Sequence, residues 1–207
     1  MQHFKGESSM KNQMGKYTKT LLIILVFPLL LSCTTLYIKG SIIDTDHFSV
    51  TGPPGDGWNV NVKKDPAIVD FRKASKDETT LIKVLRNWVA DKNFWHLSEE
   101  GVANNYRDGE EADMIWRGVM TRQYKLSDVK RGTTMIGDKK VYFMSYRTSG
   151  IRERTVSDAV LYLFFPADFK ERHSFYVFVI NHSYAQGKLD KGDLTPIIPV
   201  IESLKIK

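Results

Sequence analysis

The sequence predicts an α+β fold in which a central antiparallel β-sheet has helices packed on both faces, an α/β/α sandwich. Most of the chain divides into short segments rich in β-branched and aromatic residues, separated by turn residues. Two of these segments, residues 160–165 and 175–180, are apolar at every position, and strands without alternation are usually covered on both faces. Apolar residues at helical spacing after Ser98 and after Thr195 supply the helices.

The first half of the predicted sheet lies within residues 47–90. Residues 47–50 predict a strand, and the cluster of Gly, Pro and Asp at 52–57 predicts the turn that follows it. Residues 58–62 alternate between apolar and polar side chains, as in a half-buried strand, and residues 67–71 predict another short strand. Residues 79–90 fit both a helical stripe and a strand, and their β-branched residues favour the strand.

A helix is predicted from Ser98 to Arg107. Ser98 is a natural N-cap, and the two glutamates after it favour the positive end of the helix dipole. Gly109 can end the helix in the left-handed conformation. The acidic run at residues 108–113 then predicts a solvated loop rather than a calcium site, because its spacing does not match an EF-hand loop.

The rest of the chain is dominated by strand patterns. Gly137 and Asp138 predict a tight hairpin turn. Thr195 can cap a terminal helix, and Pro196 suits its first position. Five segments predict strands: 119–129, 133–136, 140–147, 157–165 and 174–183.

Composition restricts the class of protein. The chain has 207 residues, of which 42% are hydrophobic and 12% aromatic, and this excludes disorder, collagen and coiled coil as the main state. Residues 33–207 carry 26 basic and 23 acidic side chains, and a net charge of +3 is no footprint for nucleic acid. The single cysteine excludes an intrachain disulfide, a cysteine-based zinc site and a cysteine-ligated iron–sulfur cluster.

The N-terminal segment is typical of an export signal. An apolar run at residues 21–31 is too short to span a bilayer, and it ends at Leu30-Leu31-Ser32-Cys33. This ending resembles the lipobox of bacterial lipoproteins. The resemblance implies cleavage before Cys33, diacylglycerol on its thiol and acylation of the new amine, and two or three chains hold a protein stably on a membrane. Four cations precede the run: Lys5, Lys11, Lys16 and Lys19.

These features predict three parts of the chain and a location. Residues 1–32 are a cleaved signal peptide, residues 33–46 a lipidated tether and residues 47–207 a single globular domain. The protein is expected outside the cytoplasm and anchored to a membrane by lipid. Thr34 follows the cysteine where an Asp could stand, which in a Gram-negative cell resembles sorting to the periplasmic face of the outer membrane. In a Gram-positive cell it would mean the outer face of the plasma membrane.

The order of these motifs resembles the PsbP-like (Ran-release-factor-like) fold, including its small bacterial lipoprotein members. The resemblance covers roughly residues 47–206. It implies a shared architecture and a habit of binding proteins, without a shared chemistry. Its motifs are Phe48-Ser-Val before a Pro/Gly turn, Gly57-Trp58, Leu97-Ser-Glu-Glu-Gly-Val102, a Gly-Asp-Lys hairpin leading into Val141-Tyr-Phe, and Ile201-Glu-Ser-Leu204.

Two groups of side chains are candidates for binding a partner. Trp88 and Trp95 lie in a polar stretch just before the predicted helix, and tryptophan is enriched at interface hot spots. Packing at the edge of the core is favoured over an exposed patch for both. Arg147, Arg152 and Arg154 predict a loop between two strands, where a simple charged hairpin end is favoured over a site for an acidic partner.

No pattern of residues predicts catalysis, a cofactor or a metal site. The sequence has no nucleophile elbow, P-loop or dinucleotide fingerprint, and His173 and His182 are nine residues apart on one predicted strand, which places them on opposite faces. We therefore expect a non-enzymatic envelope protein that binds another envelope protein or helps assembly. A small-ligand binder with a pocket between sheet and helix is the first alternative, and a hydrolase with an unrecognised site is the second.

Overall fold

The computed structural model describes residues 36–37, 41–63, 68–150, 155–185 and 197–207. Its helices are α1 (Glu99–Thr121), α2 (Phe169–Arg172) and α3 (Ile197–Glu202), and a 3-10 turn spans Lys92–Phe94. Its strands are β1 (Leu36–Tyr37), β2 (Ile42–Asp44), β3 (Phe48–Thr51), β4 (Asn59–Lys63), β5 (Ile68–Ala74), β6 (Glu78–Trp88), β7 (Tyr124–Ile136), β8 (Lys139–Gly150), β9 (Thr155–Phe164), β10 (Ser174–Ala185) and β11 (Lys205–Ile206).

A large antiparallel sheet dominates the fold, as the sequence predicts. Its eight strands lie in the order β1-β4-β5-β6-β10-β9-β8-β7, and every neighbouring pair is antiparallel. Strands β4 to β6 pair in chain order, and so do β7 to β10. Pairing between β6 and β10, with Ile82 opposite Ile180, joins these two halves into one sheet.

A second, three-stranded sheet brings the C-terminal strand β11 against β3, which also pairs with β2. Its order is β11-β3-β2. Lys207 adds to this closure, because its ammonium lies 2.7 Å from the Asp44 carboxylate and donates to the Thr45 carbonyl at 2.6 Å. The predicted tether at residues 33–46 contains β1 and β2, and both are paired. The paired fold therefore begins before residue 47, because these short segments satisfy their backbone groups in the two sheets.

The side chains of β10 alternate between two hydrophobic clusters, which explains why its sequence is apolar without alternation. Phe178 lies in a cluster with Phe48, Trp58 and residues of α3. Its neighbour Val177 lies in a second cluster with Val102 and Ala103 of α1. The main sheet therefore contributes apolar side chains to two separate cores.

Helix α1 is much longer than predicted. Ser98 caps it, since its Oγ accepts a hydrogen bond from the Gly101 amide at 3.2 Å. The helix continues through Gly109 and ends at Arg122, which adopts the left-handed conformation with φ 50°. The predicted solvated loop at 108–113 is therefore helical. The strand predicted over 119–129 is wrong in its first part, because β7 begins only at Tyr124.

Contacts with the β7–β8 hairpin stabilise α1 at this greater length. The buried Arg107 donates to the Gly132 and Phe143 carbonyls at 3.1 and 3.0 Å. Arg131 of β7 pairs with Asp108 and Glu111, two members of the acidic run. Tertiary partners on the sheet thus stabilise a segment whose own sequence predicts a loop.

The remaining predicted strand segments are strands in the structure, although residues 124–129 and 133–136 belong to one strand, β7, rather than two. Residues 79–88 lie in β6, which ends at Trp88, so the strand alternative for residues 79–90 is correct. Gly137, with φ 59°, and Asp138 make the turn between β7 and β8. Strands β9 and β10 match their predicted segments, and α3 matches the terminal helix. Thr195 and Pro196, the predicted start of that helix, lie outside the described residues.

Candidate binding groove

An open groove lies between the end of β6 and the first half of α1, and we call it the aromatic groove. Its volume is about 490 Å³, within the 300–1,000 Å³ typical of small-molecule sites. Apolar and aromatic side chains form most of its wall. The groove is lined by Asn87, Trp88, Val89, Ala90, Asp91, Phe94, Leu97, Val102, Asn105, Tyr106, Asp108 and Phe175.

The rim of the groove is fixed by the segment that joins β6 to α1. The Val89 amide donates to the His173 carbonyl at 2.8 Å, and the Trp95 indole nitrogen donates to the Val89 carbonyl at 2.9 Å. The Trp95 ring also stacks on the His173 ring, with centroids 4.2 Å apart. The Asp91 carboxylate caps the 3-10 turn by accepting from the Asn93 amide. The rim is therefore preorganised.

Polar groups lie along the helix side of the groove. Tyr106 packs edge-on against Phe175, with ring centroids 5.6 Å apart, and shares side-chain hydrogen bonds with Glu110 and Asn87. Burial, together with the charge of Glu110, raises the pKa of Tyr106. Burial also raises the pKa of Glu110, against the hydrogen bond from Tyr106. Burial therefore makes ionisation of both groups more costly than in water.

The two carboxylates on the groove wall already have partners. Asp91 caps the 3-10 turn, and Asp108 pairs with Arg131. Each carboxylate keeps further acceptor sites, but Arg131 offsets the charge of Asp108 and the turn uses part of Asp91. Recognition in the aromatic groove would therefore depend mainly on apolar contact and shape.

The structure places the two predicted tryptophans differently. Trp88 is 54% exposed and lines the groove, while Trp95 is 43% exposed and is occupied with Val89 and His173. The favoured prediction, that both pack at the edge of the core, is wrong. Phe94, beside them, is also exposed and lines the groove. The sequence located this aromatic cluster but could not show which rings face water.

Arg147 lies within β8 rather than in the predicted loop, because β8 continues to Gly150. Its guanidinium makes two hydrogen bonds to the Asp158 carboxylate of β9, at 2.7 and 3.1 Å. Burial opposes ionisation of Asp158, but hydrogen bonds from Arg147 and Tyr184 outweigh it and lower the pKa of this carboxyl group. Arg147 is therefore already paired within the fold. Arg152, Arg154 and Cys33 lie outside the described residues.

His173 and His182 do not converge on a common site. His173 stacks on Trp95, whereas His182 forms a hydrogen bond with the Thr80 hydroxyl at 2.9 Å. Among the described residues, no group of three or more His, Cys, Asp or Glu side chains is placed to hold a metal ion.

A second exposed surface was missed by the sequence reasoning. Ile115, Trp116, Val119 and Met120, near the end of α1, are all exposed, and we call these four side chains the helix-end patch. The sequence around them predicts a solvated loop at 108–113 and a strand from 119, rather than a helix. Their i, i+4 spacing over two successive residues is the signal that could have identified them.

Comparisons with known proteins find similarity to a solved structure but to no family model. No protein-family model matches the sequence, and no curated protein matches it. The solution structure of cyanobacterial PsbP (CyanoP) from Synechocystis sp. PCC 6803 is similar, with a TM-score of 0.48 and 15% sequence identity. The match covers 85% of this chain and 98% of CyanoP. In the described part of the chain, no helix is both long and apolar enough to cross a membrane.

Proposed function

We propose that this protein is a lipid-anchored, non-catalytic module of the cell envelope that binds another envelope protein through the aromatic groove. The exposure of Trp88 carries this proposal, since a large aromatic side chain half in water gains much by burial in a partner. The fixed rim supports it too, because a preorganised surface loses little conformational entropy on binding.

The lipid anchor on Cys33 belongs to the same proposal. Its support is the sequence: a cationic start, an apolar run of signal length and the only cysteine at the lipobox position. We also propose that the fold is PsbP-like, with helices covering both faces of the sheet. The main sheet shares one hydrophobic cluster with α1 and the other with α3, and this supports the proposed architecture.

Substitution of Trp88 by Ala tests the groove. Cross-linked co-purification from whole envelopes should recover a partner with the wild type and much less of it with Trp88→Ala, because a hot-spot tryptophan contributes about 2 kcal/mol or more. Met135→Ala is the matched control, since Met135 is 58% exposed, compared with 54% for Trp88, and lies outside the groove. Equal recovery with Trp88→Ala and wild type would contradict the groove as the binding site.

The anchor has its own readout in that experiment. The Cys33→Ala form should leave the membrane fraction while its folded domain keeps the same thermal stability. A Cys33→Ala protein that sediments with membranes as fully as the wild type would count against lipidation. Neither outcome for Cys33→Ala bears on the groove hypothesis. The Trp88→Ala and wild-type proteins both keep Cys33 and are compared at equal amounts of protein in the membrane.

A small-ligand binder is the second candidate function. The volume of the aromatic groove and its few polar groups, Asn87 and Tyr106, favour it. A thermal-shift screen with small aromatic molecules should then give hits that Phe94→Ala abolishes. The two candidates are distinguished by whether the groove variants lose a protein partner or a small molecule.

A further inference from the structure

The helix-end patch forms one continuous apolar face on the last turns of α1. Successive residues of a helix are rotated by about 100°, so Ile115, Val119, Trp116 and Met120 share an arc of about 140°. Trp116 is 61% exposed and Val119 is 68% exposed. A large exposed apolar face on a soluble domain marks a site of interaction with a protein or a membrane.

The patch is held in place by β7. The Tyr124 hydroxyl donates to the Met114 carbonyl at 2.9 Å. A Cβ added at Gly118 would meet the Tyr124 carbonyl oxygen at 3.0 Å. Glycine at position 118 therefore allows the helix end to lie close against the strand. The exposed side chains are presented by a fixed helix end.

The charges on the C-terminal side of the patch are cationic. All six acidic residues of α1 lie at or before Asp113, whereas residues 114–127 contain three cations and no acid. Arg117 is paired with Asp113 at 2.7 Å. Arg122 and Lys125 are exposed beside the end of the helix. An apolar face that includes tryptophan and is bordered by cations fits an anionic lipid surface.

The size of the patch argues against a second copy of this chain as its occupant. Stable protein interfaces use about 20–30 residues on each side, and the helix-end patch has four. A membrane contact needs much less, because a few apolar side chains and about 1 kcal/mol from each nearby cation act beside an existing anchor.

We propose that the helix-end patch docks on an anionic phospholipid bilayer as a second membrane contact of the protein. This inference rests on the proposed membrane location, but it assigns a role to the folded domain rather than to the lipid. It predicts that the domain lies against the membrane in a defined orientation. Trp116 and Val119 enter the interface, while Arg122 and Lys125 meet the headgroups.

An environment-sensitive fluorophore at position 119 tests the proposal. The Val119→Cys protein, labelled and reconstituted as the full anchored chain, is compared in vesicles with phosphatidylglycerol and in vesicles of phosphatidylcholine alone. We expect a blue shift of the emission on the anionic vesicles that is lost in the Trp116→Ser and Arg122→Glu backgrounds. Met135→Cys is the matched control, exposed at the other end of β7, and it should show no shift.

The outcomes separate this proposal from the proposed anchor. Protein that sediments with vesicles while the label at position 119 remains in water would overturn the patch proposal and leave the anchor standing. A shift seen in native envelopes but absent from pure lipid vesicles would overturn it as well, because a protein would then cover the patch. Equal shifts on anionic and neutral vesicles would refute the role of the cations.

Discussion

Glu110, a half-buried carboxyl group that shares a hydrogen bond with Tyr106 of the aromatic groove, affects stability. Burial raises its pKa above the ordinary value, and Tyr106 supplies the hydrogen bond that opposes this rise. Nearby Tyr146 is also affected, since burial and the Glu110 charge raise its pKa to about 12. Half-buried next to two tyrosines, Glu110 loses hydration that its single partner only partly replaces.

Glu110→Gln should stabilise the protein at neutral pH. The folded state binds the Glu110 proton more tightly than the unfolded state does, so the wild type loses stability as the pH rises between the two pKa values. The advantage of the variant should therefore shrink as the pH falls towards 4 in urea titrations, about the pKa of an unfolded-chain Glu. Glu171→Gln, at an exposed site in α2, corrects for the general effect of charge. An advantage that grows on acidification would contradict this sign.

At the scale of single residues, the sequence predicted chemistry better than exposure. It identified the aromatic cluster around Trp88 and Trp95, and it correctly gave Ser98 the role of a helix cap. The sequence could not predict that Arg147 pairs with Asp158. Such pairings depend on the register between β8 and β9, and strand register is not encoded in either segment alone.

Helix α1 is the element whose length depends most on tertiary contacts. Arg107 is its main link to the β7–β8 hairpin, and its guanidinium also stacks near Tyr142, 5.9 Å from the ring centroid. The Arg107 Nε atom is buried and has no hydrogen-bond partner among the described residues. Burial lowers the pKa of this guanidinium. The burial of this charge is thus offset by carbonyls and an aromatic ring.

Arg107→Met should destabilise the fold by about 2–3 kcal/mol, because the Gly132 and Phe143 carbonyls lose a charged donor while remaining partly buried. The Met side chain keeps much of the apolar stem, so the loss reports mainly on hydrogen bonding. Urea denaturation measures it. Arg117→Met, at an exposed position of the same helix, should change stability by no more than about 0.5 kcal/mol. Equal effects of the two variants would show that the buried hydrogen bonds contribute little.

The sequence predicted the start of α1 from local signals and missed its second half for physical reasons. Gly109 and the acidic run are typical of a helix end and a loop, and the last turns expose their apolar side chains instead of burying them. The apolar stripe of the last turns faces water and does not continue the core-facing stripe of the first turns, so the core pattern alone does not indicate that the helix goes on. The partners that stabilise this half of the helix, Arg131 and Tyr124, belong to strand β7.

At the scale of the whole molecule, the sequence predicted an antiparallel sheet and most of its strands, but not their spatial order. The local pairs, such as β7 with β8 around Gly137, follow from the turn residues. The pairing of β6 with β10 and the return of β11 to β3 depend on contacts distant in sequence. The aromatic groove exists only because β6, α1 and Phe175 of β10 meet. The sequence could therefore indicate some of its residues but not its shape.

The single junction between β6 and β10 has a consequence for folding kinetics. Hairpins between consecutive strands form in about 1–10 μs, whereas this junction must first close the long segment at residues 89–173. We expect the junction to be formed in the rate-limiting transition state. Ile82→Val and Phe178→Leu should then mainly slow refolding, while Val50→Ala in β3 should mainly speed unfolding. Stopped-flow chevron plots distinguish these patterns, and the reverse assignment would mean that the three-stranded sheet closes first.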